Sequence, residues 1–315
     1  MSTIISYLVH IISLGYFIRR SWRRYLQVIG NLLLGAVDDS ADIKPMVNTQ
    51  RRMLSVLYRF TKLKLIRFHG ADDWFILGNS LYLLDRLSSA IECYDKSLSI
   101  DSQKLYVWYN KALALSFMGE SAAAVICWDG LLAMDDRFTE AWFSKGVALE
   151  QLGKISEALT CYDRVIEVDS GLAEAWYNKG VVLSELGKYE EAVASYDASL
   201  ALRDKDEEAW FNRGAALSEL ERYDEALESY HKSVTINSKL KHGWNGIALA
   251  LTELGNYEEA ISHYDKALAV DDRYQDAWYN KGVALDIMGR YEDAQVCYNQ
   301  GVAIEKMVRD EGLED

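Results

Sequence analysis

Proline is almost missing from this chain: Pro45 is the only one in 315 residues. Everything after it is free to run as uninterrupted helix, because proline removes a backbone donor and clashes with the preceding turn. Cysteine is scarce too. Cys93, Cys127, Cys161 and Cys297 are separated by 34 residues or a multiple of 34, so there is no Cys-x-x-Cys pair and no Cys/His cluster. That spacing argues against a zinc site, and free thiols fit a reducing compartment. Catalytic signatures are also missing. There is no phosphate-binding loop, no Gly-x-Gly-x-x-Gly opening a helix and no His-Glu-x-x-His, and the five histidines are scattered. The expectation is a protein that is not an enzyme and carries no metal and no cofactor.

Basic charge is thin over most of the chain. Residues 1–70 hold eleven Lys/Arg and three Asp/Glu, a net of +8, whereas the remainder holds 23 basic and 45 acidic residues, a net of −22. The acidic part repels nucleic acid phosphates, so no nucleic acid partner is expected. It favours basic or polar partners instead.

A period of 34 residues is what the chain does have. Trp74, Trp108, Trp142, Trp176, Trp210, Trp244 and Trp278 follow one another at that interval without insertion. Four residues after each Trp stands Gly or Ala; seven after it, Leu; sixteen after it, Ala; and twenty after it, Tyr or, once, Trp128. Offsets 0, 4 and 7 share one face of a helix, and offsets 16 and 20 share one face of a second. Between them lies a turn such as Leu186-Gly187-Lys188, where Gly suits a left-handed helix C-terminus. A fixed period of this length is the sequence mark of a solenoid.

These columns resemble the tetratricopeptide repeat (TPR) family, whose Trp-x2-Leu-Gly-x2-Tyr…Ala-x3-Phe pattern recurs seven times over residues 71–308. Lys usually replaces its first Leu, Leu its Tyr, and mostly Tyr its Phe. The resemblance implies an all-α, right-handed α-solenoid of seven helix pairs: 71–104, 105–138, 139–172, 173–206, 207–240, 241–274 and 275–308. The family often ends a repeat with Pro. Here Ser102, Asp136, Ser170, Asp204, Ser238 and Asp272 stand near that point, where they are expected to act as N-caps. The cysteines share one column with Ser195 and Ser229, so the plain reading is a small residue on the second helix.

The N-terminal part reads differently. Ser2–Ile18 carries no Asp, Glu, Lys or Arg and ends at Arg19-Arg20-Ser21-Trp22-Arg23-Arg24. Such a run is near the short limit for spanning a bilayer, with its positive charge on the side that stays in the cytoplasm. Residues 1–37 are therefore expected to be a membrane anchor with a transmembrane helix, the alternative being a buried or interfacial helix. Residues 38–48 read as a linker. Residues 49–70 keep the apolar register of a second helix and read as a basic N-terminal capping helix; 309–315 is a charged tail. The expected location is the cell membrane with the repeats facing the cytoplasm, or, without an anchor, the cytoplasm.

Two sets of side chains are candidates for function. In TPR proteins the first helix of each repeat lines a concave groove. Tyr109, Phe143, Tyr177, Phe211 and Tyr279 would form its floor, with Glu150, Glu185, Glu219, Glu253 and Asp286 as acidic walls. The aromatic column is partly packing; the acidic walls are harder to explain that way. Chaperone-binding members clamp a carboxylate with Lys, Arg and Asn, and only Asn79 matches that set. The expected partner is a basic, apolar protein or peptide segment. Alternatively, the chain is a soluble assembly module whose N-terminus packs on a partner. The second set is a ladder of ion pairs between successive repeats: Asp95–Lys111, Asp129–Lys145, Asp163–Lys179, Asp197–Arg213 and Asp265–Lys281. Where the ladder breaks, His231 faces Ile247 and both charges vanish together. A buried stem with its charge paired is expected there. The oligomeric state has no signature in the sequence.

Overall fold

The computed structural model describes residues 70–310. The expected anchor, linker and capping helix, apart from Gly70, lie outside the described residues. No helix among the described residues is long and apolar enough to cross a membrane. Those residues divide into two compact units, which meet in sequence at Lys154 and Ile155.

The first unit holds α1 (Ala71–Tyr82), α2 (Leu87–Ile100), α3 (Leu105–Phe117), α4 (Ser121–Leu132) and α5 (Thr139–Gln151). Each packs on the next, and α1 also touches α3. The second unit holds α6 (Ile155–Val168), α7 (Ala173–Glu185), α8 (Tyr189–Leu202), α9 (Glu207–Glu219), α10 (Tyr223–Ile236), α11 (Lys241–Glu253), α12 (Tyr257–Val270), α13 (Gln275–Ile287) and α14 (Tyr291–Asp310). Consecutive helices again pack together, and α7, α9, α11 and α13 touch in series. Both units are all-α among the described residues, and their packing is that of stacked helix pairs.

The repeat columns explain the core. Every Leu of the column seven after Trp is buried, from Leu81 to Leu285, and every Ala of the column sixteen after Trp is fully buried. Burying each Leu is worth about 1.5–3 kcal/mol before entropy is counted. Six of the seven aromatic residues of the second helix are buried as well; Tyr298 is half-buried. The small column lets the two helices close on that ring. A Cβ on Gly180 would stand 2.5 Å from Tyr196 Cε1, so glycine there is a matter of space rather than flexibility.

The turn inside each repeat is a left-handed cap. The N–H of Lys188 bonds to the carbonyl of Leu183, and the same bond recurs from Arg86 to Leu81 through Arg290 to Leu285. This closes a Schellman motif, which requires positive φ at the residue before the donor. Gly119, Gly153, Gly187, Gly255 and Gly289 supply it at 69–79°. Asp85 and Glu221 occupy the same position with φ 58°.

The turn between repeats is not built as the sequence suggests. Ser102, Asp136, Ser170, Asp204, Ser238 and Asp272 are not N-caps. The capping positions are Lys104, Phe138, Leu172, Asp206, Leu240 and Tyr274, and of these only Asp206 caps with its side chain, accepting from Ala209 N. The residue one earlier than the expected column does the local work. Asp101, Asp135, Asp169, Asn237 and Asp271 each accept a hydrogen bond on Oδ1 from the N–H two residues on. This is an Asx turn, in which the side chain mimics a backbone turn. Arg203 stands in that column in the fourth repeat, which is where the Asp206 cap takes over.

Buried polar groups are few. Ser97 and Ser199 donate to the carbonyls of Ala71 and Ala173 at 2.7 and 2.9 Å, tying second helices to first ones. Not every buried polar atom is paired: among the described residues Trp128 Nε1 and Ser233 Oγ lack a hydrogen-bond partner, and so does Nδ1 of the buried His263. Burial, then Lys266 and His231, hold its pKa down from 6.5 to about 4.

Two predictions follow from the backbone and from this histidine. Glu221→Gly relieves a left-handed conformation that costs a residue with a Cβ about 1 kcal/mol or more. Glycine's extra unfolded-state freedom offsets part of this, so the expected gain is about 0.5 kcal/mol in denaturant titration. For His263, the unfolded imidazole takes its proton near 6.5 and the folded one only near 4. The unfolded state therefore binds more protons between these values, and this contribution to stability falls as pH drops through that window. His263→Cys, the residue of the four equivalent positions, should remove that part of the pH dependence of the unfolding midpoint.

Candidate functional site

The first helices carry the expected groove columns, and the structure places them as follows. Tyr109, Phe143, Tyr177, Phe211 and Tyr279 are all half-buried. Four of them lean on the aromatic ring of their own repeat's second helix. Centroid distances are 5.3 Å for Tyr109–Trp128, 6.1 Å for Tyr177–Tyr196, 5.7 Å for Phe211–Tyr230 and 6.3 Å for Tyr279–Tyr298. Part of each ring thus belongs to the core and part faces out. Among the walls, Glu185, Glu219 and Glu253 are exposed, while Glu150 and Asp286 are half-buried. Asp286 accepts from the hydroxyl of Tyr298 at 2.8 Å.

Within the second unit these columns converge. Val181 and Glu185 of α7, Tyr189 and Tyr196 of α8, and Ala215 and Glu219 of α9 line a pocket of about 240 Å³, together with Ser184, Asn212 and Ala216. The Tyr196 hydroxyl lies 3.3 Å from Ser184 Oγ at its base. Burial raises the Tyr196 pKa to about 12, with smaller contributions that include the nearby Glu185 charge. Glu185, Glu219 and Glu253 have no ion-pair partner among the described residues. The same carboxylates help to push up neighbouring tyrosines: burial first, then Glu253, raises Tyr264 to about 12. The groove face of this unit is therefore negative and uncompensated.

An asparagine column on the first helix completes this face. Asn110, Asn178, Asn212 and Asn280 stand two residues after their Trp. Asn110 donates to Asn79 Oδ1 at 2.8 Å, Asn178 to the Tyr162 hydroxyl at 3.3 Å, and Asn212 to the Tyr177 hydroxyl at 2.9 Å. The sequence signal was simple recurrence at one offset, overlooked because four polar residues on a solvent-bearing helix read as ordinary surface.

The ladder stands beside the groove columns, not within them. Lys111 lies 2.6 Å from Asp95, Lys145 2.5 Å from Asp129, and Lys179 2.7 Å from Asp163. Arg213 lies 2.6 Å from Asp197 and Lys281 2.5 Å from Asp265. Each pair joins the second helix of one repeat to the first helix of the next. The cations are mostly covered, at 17–23% exposure, but the aspartates are 45–56% exposed. The expected desolvated pair is thus half wet, and its worth falls to the surface range. The buried stem is explained by the tryptophan. Each cation sits over the ring three residues earlier, 5.2–5.7 Å from its centroid.

Where the ladder breaks, three columns change together. Ile247 is fully buried in place of a cation, His231 stands in place of Asp, and His263 in place of Cys or Ser. The His263 ring stacks on Trp244 at 5.6 Å and meets His231 edge-on at 5.8 Å. Sequence reading paired the first two changes but missed the third, because His263 was not aligned with the cysteines. Those cysteines are buried free thiols. Burial raises the thiol pKa of Cys127 and of Cys297.

Stacked helix pairs with a face of aromatic and acidic residues define a helical-repeat protein. Models of the tetratricopeptide repeat match residues 74–104, 173–206, 207–240 and 242–306, and a TPR-repeat model matches 146–187. The chain belongs to the tetratricopeptide repeat family, whose members bind proteins or peptides. Comparison with curated protein sequences gives no significant match. Among solved structures, the C-terminal part of a TPR repeat-containing protein from Cytophaga hutchinsonii is similar at TM-score 0.63 and 16% identity, over 76% of this chain and 100% of that one. YrrB, described as a TPR protein with an unusual peptide-binding site, is similar at TM-score 0.50 and 22% identity, over 57% of this chain and 92% of its own. A MamA fragment from Desulfovibrio magneticus is similar at TM-score 0.52 and 20% identity, over 54% and 97%. At these identities the likeness is one of fold.

The ladder's half-wet geometry sets its expected contribution. Asp197→Ala should lower stability by no more than about 1 kcal/mol, with the loss shrinking as salt is raised. Trp210→Phe removes an indole donor and buried ring area and should cost about 1–3 kcal/mol at any salt. Denaturant titration at low and high salt separates the two.

Proposed function

We propose that this chain is a non-enzymatic scaffold that binds a basic, apolar protein segment along the groove face of its repeats. We propose further that residues 1–37 hold it at the cytoplasmic face of a membrane. The observation that carries the first part is the pocket of the second unit, which gathers Glu185 and Glu219 around an apolar and aromatic floor while no cation of the described residues neutralises either. An apolar floor supplies affinity by burial, and like charge at its edge selects for partners of opposite sign. The peptide-binding site ascribed to YrrB supports reading this face as a peptide site. The second part rests on the sequence alone, on the apolar Ser2–Ile18 run and the arginines that follow it.

Selection of random displayed dodecapeptides on the full-length chain tests the groove. The enriched peptides should be net positive with apolar residues, their binding should weaken as salt rises, and the triple change Glu185→Lys, Glu219→Lys, Glu253→Lys should abolish it. Enrichment of acidic peptides, or indifference to the triple change, overturns the reading. In cells expressing the chain, alkaline carbonate should leave it in the membrane pellet and release a form lacking residues 1–37; intact chain in the soluble fraction overturns the anchor.

A further inference from the structure

One small residue lines the pocket. Five positions after each Trp stand Asn79, Leu113, Val147, Val181, Ala215, Leu249 and Val283, so Ala215 is the smallest residue of the column. At Ala215 the side chain stops at Cβ, and it lines the cavity between α7, α8 and α9. The equivalent places within each unit lack the combination. One helix pair further on, Leu249 replaces Ala215 and Gly246 replaces Asn212, although Glu219 and Glu253 keep the two carboxylates. Further still, Val283 and Ile287 stand in place of Ala215 and Glu219. In the first unit, Phe117 and Gln151 stand where the two glutamates would be. A hollow with carboxylates on two sides therefore belongs to one place among these.

The chemistry of the lining says what fits. Glu185 and Glu219 offer carboxylate oxygens without a cation partner among the described residues. Asn212 donates its amide N–H to the Tyr177 hydroxyl, which turns its own carbonyl oxygen free to accept. The walls are the rings of Tyr189 and Tyr196 with the methyl groups of Val181, Ala215 and Ala216. An aliphatic side chain would use the walls but strip water from the carboxylates without replacing it. An ammonium would meet the carboxylates but remain strongly hydrated, with three donors on a point charge. A guanidinium is flat, weakly hydrated and always charged, stacks on aromatic rings, and carries five N–H donors for several acceptors at once.

We propose that this pocket takes the side chain of a single arginine of the bound segment, with the guanidinium between Glu185 and Glu219 and its stem along Tyr196 and Ala215. The proposal rests on the groove reading above and deepens it, since it names the side chain that sets the register of the partner. Arginine anchors of this kind carry a large share of binding energy where they enter a formed pocket.

The test uses the full-length chain and the most enriched basic dodecapeptide from the selection above, resynthesised with each arginine in turn changed to lysine or to citrulline, its neutral isostere. One position should stand out: citrulline there lowers affinity about tenfold or more, and lysine by less. Ala215→Leu and the double change Glu185→Gln, Glu219→Gln should each reproduce that loss for the arginine peptide and add little to it for the citrulline peptide. Leu is the residue this column holds at 113 and 249, and the two glutamates are exposed, so one variant or the other keeps a folded protein to measure. Strong binding of a basic peptide that tolerates citrulline at every position, or that ignores both variants, overturns the arginine pocket while leaving the groove reading in place. Enrichment of no peptide, or of acidic ones, overturns both.

Discussion

The indole of each repeat's tryptophan is the point on which the stack turns. Its Nε1–H donates to the carbonyl six residues earlier, from Trp108 to Ser102, Trp142 to Asp136, Trp176 to Ser170, Trp210 to Asp204, Trp244 to Ser238 and Trp278 to Asp272, at 2.8–3.0 Å. That bond ties the turn between repeats to the body of the following helix, satisfying a carbonyl that the turn leaves without a helical partner. The ring then supplies a flat bed for the cation three residues on, and the cation reaches back to the preceding repeat's Asp. One side chain thereby fixes the turn, the approach angle of the helix and the position of the inter-repeat charge. This is why the period tolerates no insertion: a residue added between turn and Trp would separate donor from acceptor.

The sixth repeat shows that the bed and the charge are separable. With Ile247 in place of the ladder cation, Trp244 keeps its hydrogen bond to Ser238 and packs against the ring of His263, with Lys266 also over its face. The imidazole's low pKa keeps it neutral, as a buried site beside an uncharged Ile requires. The Asp of the preceding repeat, left without a cation, would be an unpaired charge near this surface, and His231 stands there in its place. The ladder therefore contributes register less through Coulomb energy, which solvent at the half-exposed aspartates screens, than through the packing of cation stem on indole.

How far this could be read from the chain depends on what kind of recurrence was needed. The Leu, Ala and aromatic columns were legible because core positions are strict: a changed volume in a close-packed interior is felt at once. The ladder was legible because at its one internal break, His231 and Ile247, both charges vanish together. The inter-repeat turns were misread by one residue. Ser and Asp at 102, 136 and 170 have the chemistry of caps, but the chain there still lies in the turn, and the preceding Asp101, Asp135 and Asp169 close it with their side chains. Sequence shows which residue types favour a turn and leaves its phase to local geometry. The groove carboxylates were visible as a row, but the pocket was not. It is lined by residues of three helices, among them the small Ala215, and an Ala inside a helix carries no signal of its own.

The two halves of this organisation bear on each other through charge. In each regular repeat the cation three residues after Trp is spent on the Asp of the preceding second helix. A lysine of the second helix lies over the indole in three repeats, Lys96 over Trp74, Lys232 over Trp210 and Lys266 over Trp244, and of these only Trp210 also carries a ladder cation. Eight basic residues of the repeats thus lie over tryptophan rings, and the five that belong to the ladder are mostly covered. The first helix's opposite columns keep Glu185, Glu219 and Glu253 with nothing basic beside them. A chain with 45 acidic and 23 basic residues after position 70 could spread that excess evenly. Instead, the cations that pack on the tryptophans are taken up by the contacts that fix register, while Glu185, Glu219 and Glu253 form no ion pair among the described residues and give their face of the second unit a negative field.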